Sequence, residues 1–370
     1  MNNYSKPAHY YERPAAIELI RTMAKQPLTA KQDQTLHNLL RSPADSKDAF
    51  IIKPAGEFLD MADSPAESDM LFGDFWYEGE LCILFADTNV GKSILAVQIG
   101  DALSRGTPFE RFAMKKEAST VLYFDFELND RQFAKRYTSE LHGQHQFGPN
   151  FYRVVFNPDA TGERKFASYH HYINNALENA LIASGARVII IDNITCLRSG
   201  TQAAASAIGL MQKLQTLKNQ YGLSILVLAH TPKRNPARPV TRNDLQGSKM
   251  LLNFADSAFA IGESQAKTGL RYLKQIKQRS GSQVYGAGNV CLCEIIKPYN
   301  FLHFEFAGPG NEADHLVHYT EQHRQSTEER ITQLHQQGLS LRQIAKNMSI
   351  SFSTVFRVVK RLGGEVEGIK

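Results

Sequence analysis

Gly91-Lys92-Ser93 stands where an apolar run gives way to an amphipathic one. Residues 81–85 are apolar, Ala86 through Val90 turn polar, and Ile94, Leu95, Val97, Ile99 and Leu103 then recur at helical spacing. A turn between a strand and a helix points backbone N–H groups at an anion, a lysine adds a point charge, and a hydroxyl suits a hard cation. The chemistry is polyphosphate binding, with ATP and Mg²⁺ as the expected cofactors. Asp87, Thr88, Asn89, Val90, Gly91, Lys92 and Ser93 form the cradle. Lys92 reaches the β and γ oxygens, and Ser93 joins the metal. The pattern G-x-x-x-x-G-K-[ST] is met except at its first position, which is Ala86. A glycine there permits a tight turn, and alanine tolerates positive φ less readily. The expectation is a changed affinity and rate, with Gly91-Lys92-Ser93 carrying most of the contacts.

Hydrolysis asks for carboxylates as well. Asp192 closes the run Val188-Ile189-Ile190-Ile191 and fits the metal-side acid on a neighbouring strand. Asn193 follows it, so the base that activates water has to come from elsewhere. Glu127, ending the run 120–126, is the candidate. Asp125 shares its face but sits deeper. His230 ends a further run, 224–229. Lys277 and Arg279 lie in the basic segment 274–281.

These residues need a frame. Apolar runs at 81–86, 120–127, 187–192 and 224–230 alternate with helical patterns at 94–105, 128–141, 169–183 and 203–221. That order predicts an α/β domain with a mainly parallel sheet, helices on both faces, and functional residues past the strand ends. From Asp256 the texture changes to alternating segments at 257–261, 269–277, 284–296 and 301–306, read as antiparallel strands. Gly308-Pro309-Gly310-Asn311 reads as a linker. Short helices are expected at 14–23 and 30–40. The domains are therefore an N-terminal helical arm (1–70), an ATPase domain (71–306), a linker (307–325) and a small all-helical unit (326–370).

In that last unit, helices are expected at 326–337, 340–348 and 351–362, with Ala345, Ile350, Val355 and Val358 packing inward. Residues 341–361 hold five Lys/Arg and no acid. The stretch SLRQIAKNMSISFSTVFRVVKRL looks like a helix-turn-helix of the resolvase or sigma-factor region-4 type. In such motifs the last helix enters the major groove. Ser351, Ser353, Thr354 and Arg357 are then candidate base readers, and Arg342, Lys360 and Arg361 phosphate contacts.

Composition sets the outer bounds. The 370 residues carry a net charge of +5, but residues 1–70 sum to −2 and 327–370 to +3. A basic tail on a nucleotide-binding chain points to nucleic acid. No apolar run is long enough to cross a bilayer, and the start of the sequence has no secretory apolar region, so a cytoplasmic protein with no membrane partner is expected. Cys82, Cys196, Cys291 and Cys293 are expected as reduced structural thiols.

Residues 86–93, the strand ending on Glu127, Ile189-Ile190-Ile191-Asp192-Asn193, Val227-Leu228-Ala229-His230-Thr231 and Gln246-Gly247-Ser248 together resemble the RecA-like ATPases. Within them the resemblance is to hexameric helicases of the RepA and DnaB type, over roughly residues 71–306. It implies that His230 senses the γ-phosphate. It implies that Lys277 and Arg279 reach a neighbouring subunit's γ-phosphate, a contribution of ~10³–10⁵ in rate in other NTPases. The loop after 224–230, with Lys233, Arg234, Arg238, Arg242 and Lys249, is basic and proline-rich. The resemblance places it in a central channel on single-stranded DNA. A homo-oligomer, a hexamer, follows, and the tail would tether it to duplex DNA. The leading reading is a ring-forming DNA motor, a helicase of plasmid or mobile-element replication. An ATP-switched DNA-binding regulator and a recombinase-like filament use the same core.

Overall fold

Four continuous apolar runs become the centre of one sheet. In the computed structural model the described residues are 54–57 and 69–361, apart from 109–110, 116, 161–165, 167, 195–202, 233, 246–248 and 318–320. The helices expected at 14–23 and 30–40 lie outside the described residues. The chain divides into Met1–Glu67 and Ser68–Lys370, and the second unit carries the fold.

A short hairpin, β1 (Met70–Phe72) and β2 (Trp76–Tyr77), leads into β3 (Leu81–Ala86) and α1 (Lys92–Arg105). Next come β4 (Val121–Asp125), α2 (Asp130–Tyr137), the small hairpin β5 (Thr138–Ser139) and β6 (Gly143–Gln144), and β7 (Phe151–Val154). Then follow α3 (Tyr169–Ser184), β8 (Val188–Asp192), α4 (Ala203–Tyr221), β9 (Ser224–His230) and α5 (Lys249–Phe254). Four strands complete the sheet: β10 (Ser257–Glu263), β11 (Leu270–Lys277), β12 (Val290–Ile296) and β13 (His303–Gly310). The nine-stranded order is β13-β12-β11-β10-β3-β9-β8-β4-β7. From β10 to β7 every pairing is parallel; β11, β12 and β13 join antiparallel.

The alternation of a strand explains the layers. Leu81, Ile83 and Phe85 face a core shared with α3 and α4, while Cys82, Leu84 and Ala86 face one shared with α1. Helices on both faces leave the central strands dry, which is why they read as unbroken apolar runs. Trp76 is fully buried beside Phe72 and Phe75, so the aromatic cluster ahead of the loop is core. Cys82, Cys291 and Cys293 are buried free thiols, and Cys196 lies outside the described residues.

Three expectations change. Residues 257–263 pair parallel with β3, because that stretch follows α5 back to the bottom of the sheet; only the next three strands are antiparallel. The helix expected to run to 141 ends at Tyr137, where the chain turns into the β5–β6 hairpin. Gly308-Pro309-Gly310, read as linker, is strand. On an edge strand a proline loses no ladder bond, and β13 is the edge. The chain then continues to Glu312, whose buried carboxylate meets Lys274 Nζ at 2.5 Å and the Val240 N–H at 2.7 Å.

The tail consists of α6 (Glu321–Gln336), α7 (Leu341–Asn347) and α8 (Phe352–Arg361). Ile331, Leu334, Ile344, Ala345, Val355, Val358 and Val359 form its core, with Ile350 at the margin. A capping box of Ser340 and Gln343 starts α7. Ser349 takes the left-handed turn position between α7 and α8, with φ 53°.

Candidate functional site

β3 stays regular through Ala86, which pairs with His230 and is buried. The left-handed residues of the loop are Asn89 (φ 64°) and Gly91 (φ 111°). The conformational demand expected at Ala86 falls instead at Asn89 and Gly91, so the alanine creates no backbone strain. Gly91 is also closely packed. A Cβ there would lie 2.6 Å from Ile295 and 2.8 Å from Phe304. Arg271, on β11, holds the loop from the other side, donating from Nε to the Val90 carbonyl at 2.8 Å. Nothing in the sequence marked Arg271, because its place depends on the antiparallel return of β11.

Lys92 is buried, and its Nζ donates to the carbonyls of Ala86 (3.0 Å) and Asp87 (2.8 Å). A third contact reaches His230 Nδ1 at 3.2 Å. Burial lowers the Lys92 pKa, and the nearby Asp192, Glu127 and Asp87 pull it back up. The ammonium is thus oriented by its own loop and by the end of β9.

His230 bridges two of the expected groups. Its Nε2 lies 3.1 Å from Glu127 Oε1. One tautomer satisfies both contacts: Nδ1 accepts from Lys92, and Nε2–H donates to Glu127. The His230 hydrogen bond holds the Glu127 carboxyl below its usual range, against the opposing effect of burial; the charges of Lys92 and Arg136 add to it. Glu127 is ionised at neutral pH, as a general base must be. Asn193 joins the same group. Its Nδ2 donates to Glu127 Oε1 and lies 2.9 Å from His230 Nε2. In the sequence Asn193 marks only the absence of a glutamate after Asp192; in the structure its amide bonds the carboxylate of the candidate base.

Asp125 is occupied otherwise. Its carboxylate is buried, paired with Arg153 at 2.8 Å, and accepts the Leu128 N–H at 2.9 Å. It anchors the turn that presents Glu127 and leaves that residue as the candidate base.

Asp192 is fully buried. Tyr123 Oη donates to its Oδ2 at 2.7 Å, while Oδ1 has no partner. Burial pushes its pKa up to about 6, against the pull of the Ser93 and Tyr123 hydroxyls. A buried, unpartnered carboxylate oxygen beside a hydroxyl fits a hard divalent cation. Among the described residues no cluster of three His, Cys, Asp or Glu could hold a metal alone. Mg²⁺ binds through one or two protein oxygens and the substrate phosphates. Ser93 and Asp192 would hold it, and it would neutralise charge on the phosphoryl oxygens.

Lys277 and Arg279 are not brought to this loop. β11 runs antiparallel to β10, so its C-terminal end lies at the opposite end of the sheet. Lys277 Nζ donates to the Leu252 and Ala255 carbonyls at 2.5 and 2.6 Å, at the C-terminus of α5. Arg279 pairs with Asp256 at 3.3 Å and keeps half of its side chain exposed.

The basic loop is more ordered than its prolines suggested. Val240 and Leu245 are buried, and a capping box of Thr241 and Asp244 holds a short 3-10 turn at Arg242–Asp244. Arg238 and Arg242 are exposed. Arg234 instead packs beside the phosphate loop, 4.0 Å from Asp87, whose carboxylate also accepts from Thr231 Oγ1. Lys233 and the side chain of Lys249 lie outside the described residues. In the tail, Ser353, Phe356, Arg357, Lys360 and Arg361 line one concave surface. Arg342 starts α7 in the exposed first turn, and Thr354 sits in the first turn of α8. Ser351 caps α8, accepting the Thr354 N–H at 3.2 Å, and Arg361 pairs with Glu328.

The comparisons with known proteins fall on the same two parts. Residues 53–236 match the family model of an AAA domain, and residues 322–362 match that of a helix-turn-helix domain. No curated protein matches the sequence. Among solved structures the chain is similar to a KaiC-like protein from the hyperthermophilic archaeon Pyrococcus horikoshii OT3. Identity is 15%, coverage is 65% of this chain and 98% of that one, and the TM-score is 0.44. The sheet, the phosphate loop and the two family matches support a P-loop ATPase core followed by a C-terminal helix-turn-helix. They support ATPase activity and an ATP-dependent function on DNA. Among the described residues no helix is long and apolar enough to cross a membrane.

Proposed function

We propose that this protein is a ring-forming DNA motor, a helicase of plasmid or mobile-element replication, driven by ATP hydrolysis. The observation that carries the reading is the Lys92–His230–Glu127 chain at the ends of three elements. Lys92 and the loop amides would hold phosphate, Ser93 and Asp192 the metal, and Glu127 the attacking water. His230 touches both the phosphate lysine and the base. It leads directly into Thr231 and the basic loop, so a change at the phosphate has a short mechanical route to a DNA-facing surface. Arg238 and Arg242, both exposed, suit single-stranded DNA; Lys233 belongs to the same loop, and Lys249 begins α5 after it. Lys277 and Arg279, remote from their own phosphate loop, suit a role at a second copy's site, and this supports a homo-oligomeric ring, a hexamer. The tail would hold duplex DNA through Ser353, Thr354, Arg357, Lys360 and Arg342.

The test is strand displacement on a forked duplex with ATP, wild type beside Glu127→Gln. Displacement by the wild type alone supports the motor. ATP-dependent binding without displacement by either protein favours the second reading, an ATP-switched DNA-binding regulator.

A further inference from the structure

We propose that Phe352 and Phe356 read the 5-methyl groups of thymines in the major groove, as specificity-determining residues of the tail. The inference rests on the reading of the tail as a duplex-binding helix-turn-helix. α8 buries Val355, Val358 and Val359 in the three-helix core, and neither Phe352 nor Phe356 belongs to it. Phe352 keeps 44% of its surface exposed, and Phe356 is half-buried. Their spacing of four sets one ring a turn above the other. The rings stack with centroids 6.3 Å apart and planes inclined by 27°. Lys360, four positions on, closes the row with its Nζ 6.0 Å from the Phe356 ring.

Exposed apolar side chains scattered singly need no explanation, but these two form one surface. A second row runs beside them, Ser353 and Arg357, also four apart. Phe356 lines the same concave surface as Ser353, Arg357, Lys360 and Arg361. The apolar row is therefore continuous with a hydroxyl and a guanidinium of the kind that reads base edges. Charge selects the occupant. Residues 341–361 hold five Lys/Arg and no acid, which favours a polyanion over an apolar protein surface. In the major groove the apolar group that a base edge presents is the thymine methyl, and phenylalanine contacts suit it. A phenyl ring has no hydrogen-bonding atom, so it tells thymine from the other bases by that methyl alone. Four residues of helix advance about 6 Å, so the two methyls should lie roughly two base pairs apart.

The experiment starts from a duplex that the full chain selects out of random sequence. Each thymine is replaced in turn by deoxyuridine, which removes only the methyl. Fluorescence anisotropy then measures the affinities of wild type, Phe352→Ala and Phe356→Ala. Wild type should lose about fourfold at each thymine it reads, the worth of one buried methyl group. Each variant should bind thymine and uracil alike at one of these positions and keep the wild-type loss at the other. The wild-type comparison changes only the DNA, so it stands even where a variant loses helix. Equal wild-type affinity for thymine and uracil at every position would overturn the proposal and leave duplex binding standing. Methyl sensitivity that both variants retain in full would overturn it too. A wild type that selects no duplex would overturn the helix-turn-helix reading as well.

Discussion

His230 Nδ1 lies 3.2 Å from Lys92 Nζ, although 138 positions separate the two residues in the chain. The parallel pairing of β3 with β9 creates this contact, because it sets Ala86 opposite His230. Replacing His230 with alanine should leave ATP affinity within about threefold and lower turnover by about 10²-fold, the scale of a positioned polar group. It should also abolish stimulation by single-stranded DNA. Nucleotide titration beside steady-state turnover, with and without DNA, separates these effects.

Gly91 and Ala86 should differ in how substitution affects nucleotide binding. Gly91→Ala puts a side chain at φ 111° and into contact with Ile295 and Phe304. We expect nucleotide binding to be lost and stability to fall by about 1–3 kcal/mol. Ala86→Gly restores the motif's first glycine on paper, but the residue is strand and buried. Affinity should not improve, and stability should drop by about 0.5–1 kcal/mol. Calorimetric titration and thermal unfolding of the two variants check this.

Asp101, on α1, predicts a pH dependence. Burial alone would raise its pKa, but hydrogen bonds from His145, the Gly148 N–H and Arg105 outweigh it and hold the carboxyl below its ordinary value. A depressed folded pKa contributes stability above the unfolded value of ~3.9, and that contribution is lost as pH falls through the folded one. Asp101→Asn should therefore melt below wild type at neutral pH, and the gap should close as acid is added. Melting curves from neutral pH down to about pH 3 measure it.

The tail should fail separately from the core. Val355 is fully buried within the three-helix core, so Val355→Asp should unfold that unit. Duplex affinity should then fall while ATP turnover persists. Arg357→Ala should keep the fold and cost about 1–3 kcal/mol at one duplex site. Fluorescence anisotropy on a selected duplex, at two salt concentrations, distinguishes the two variants.

Arg279 tests whether sites are shared. Its side chain is half exposed and remote from its own loop. Arg279→Ala and Glu127→Gln should each be inactive, and mixing them should restore part of the ATPase. No recovery at any ratio would count against action across subunits.

Much of the frame was legible because physics at short range writes it. Buried parallel strands need unbroken apolar runs, and Asp192, Glu127 and His230 end such runs. The helix-turn-helix was legible for the same reason: Ser340, Ala345 and Val355 fall at a cap and at packing positions. What escaped depended on long-range placement. Arg271 and Asn193 gain their roles from partners more than 60 positions away. Arg234 looked like one more loop cation until the end of β9 put it beside Asp87. That Ala86 is still strand was not legible, because a motif does not say where its strand stops.

The most direct measurement of the central claim is ATP turnover by the full chain with Mg²⁺ and single-stranded DNA, wild type beside Glu127→Gln. The wild type should turn over, and Glu127→Gln should still bind ATP but hydrolyse it about 10²–10³-fold more slowly. Turnover in Glu127→Gln equal to that of the wild type would contradict the account.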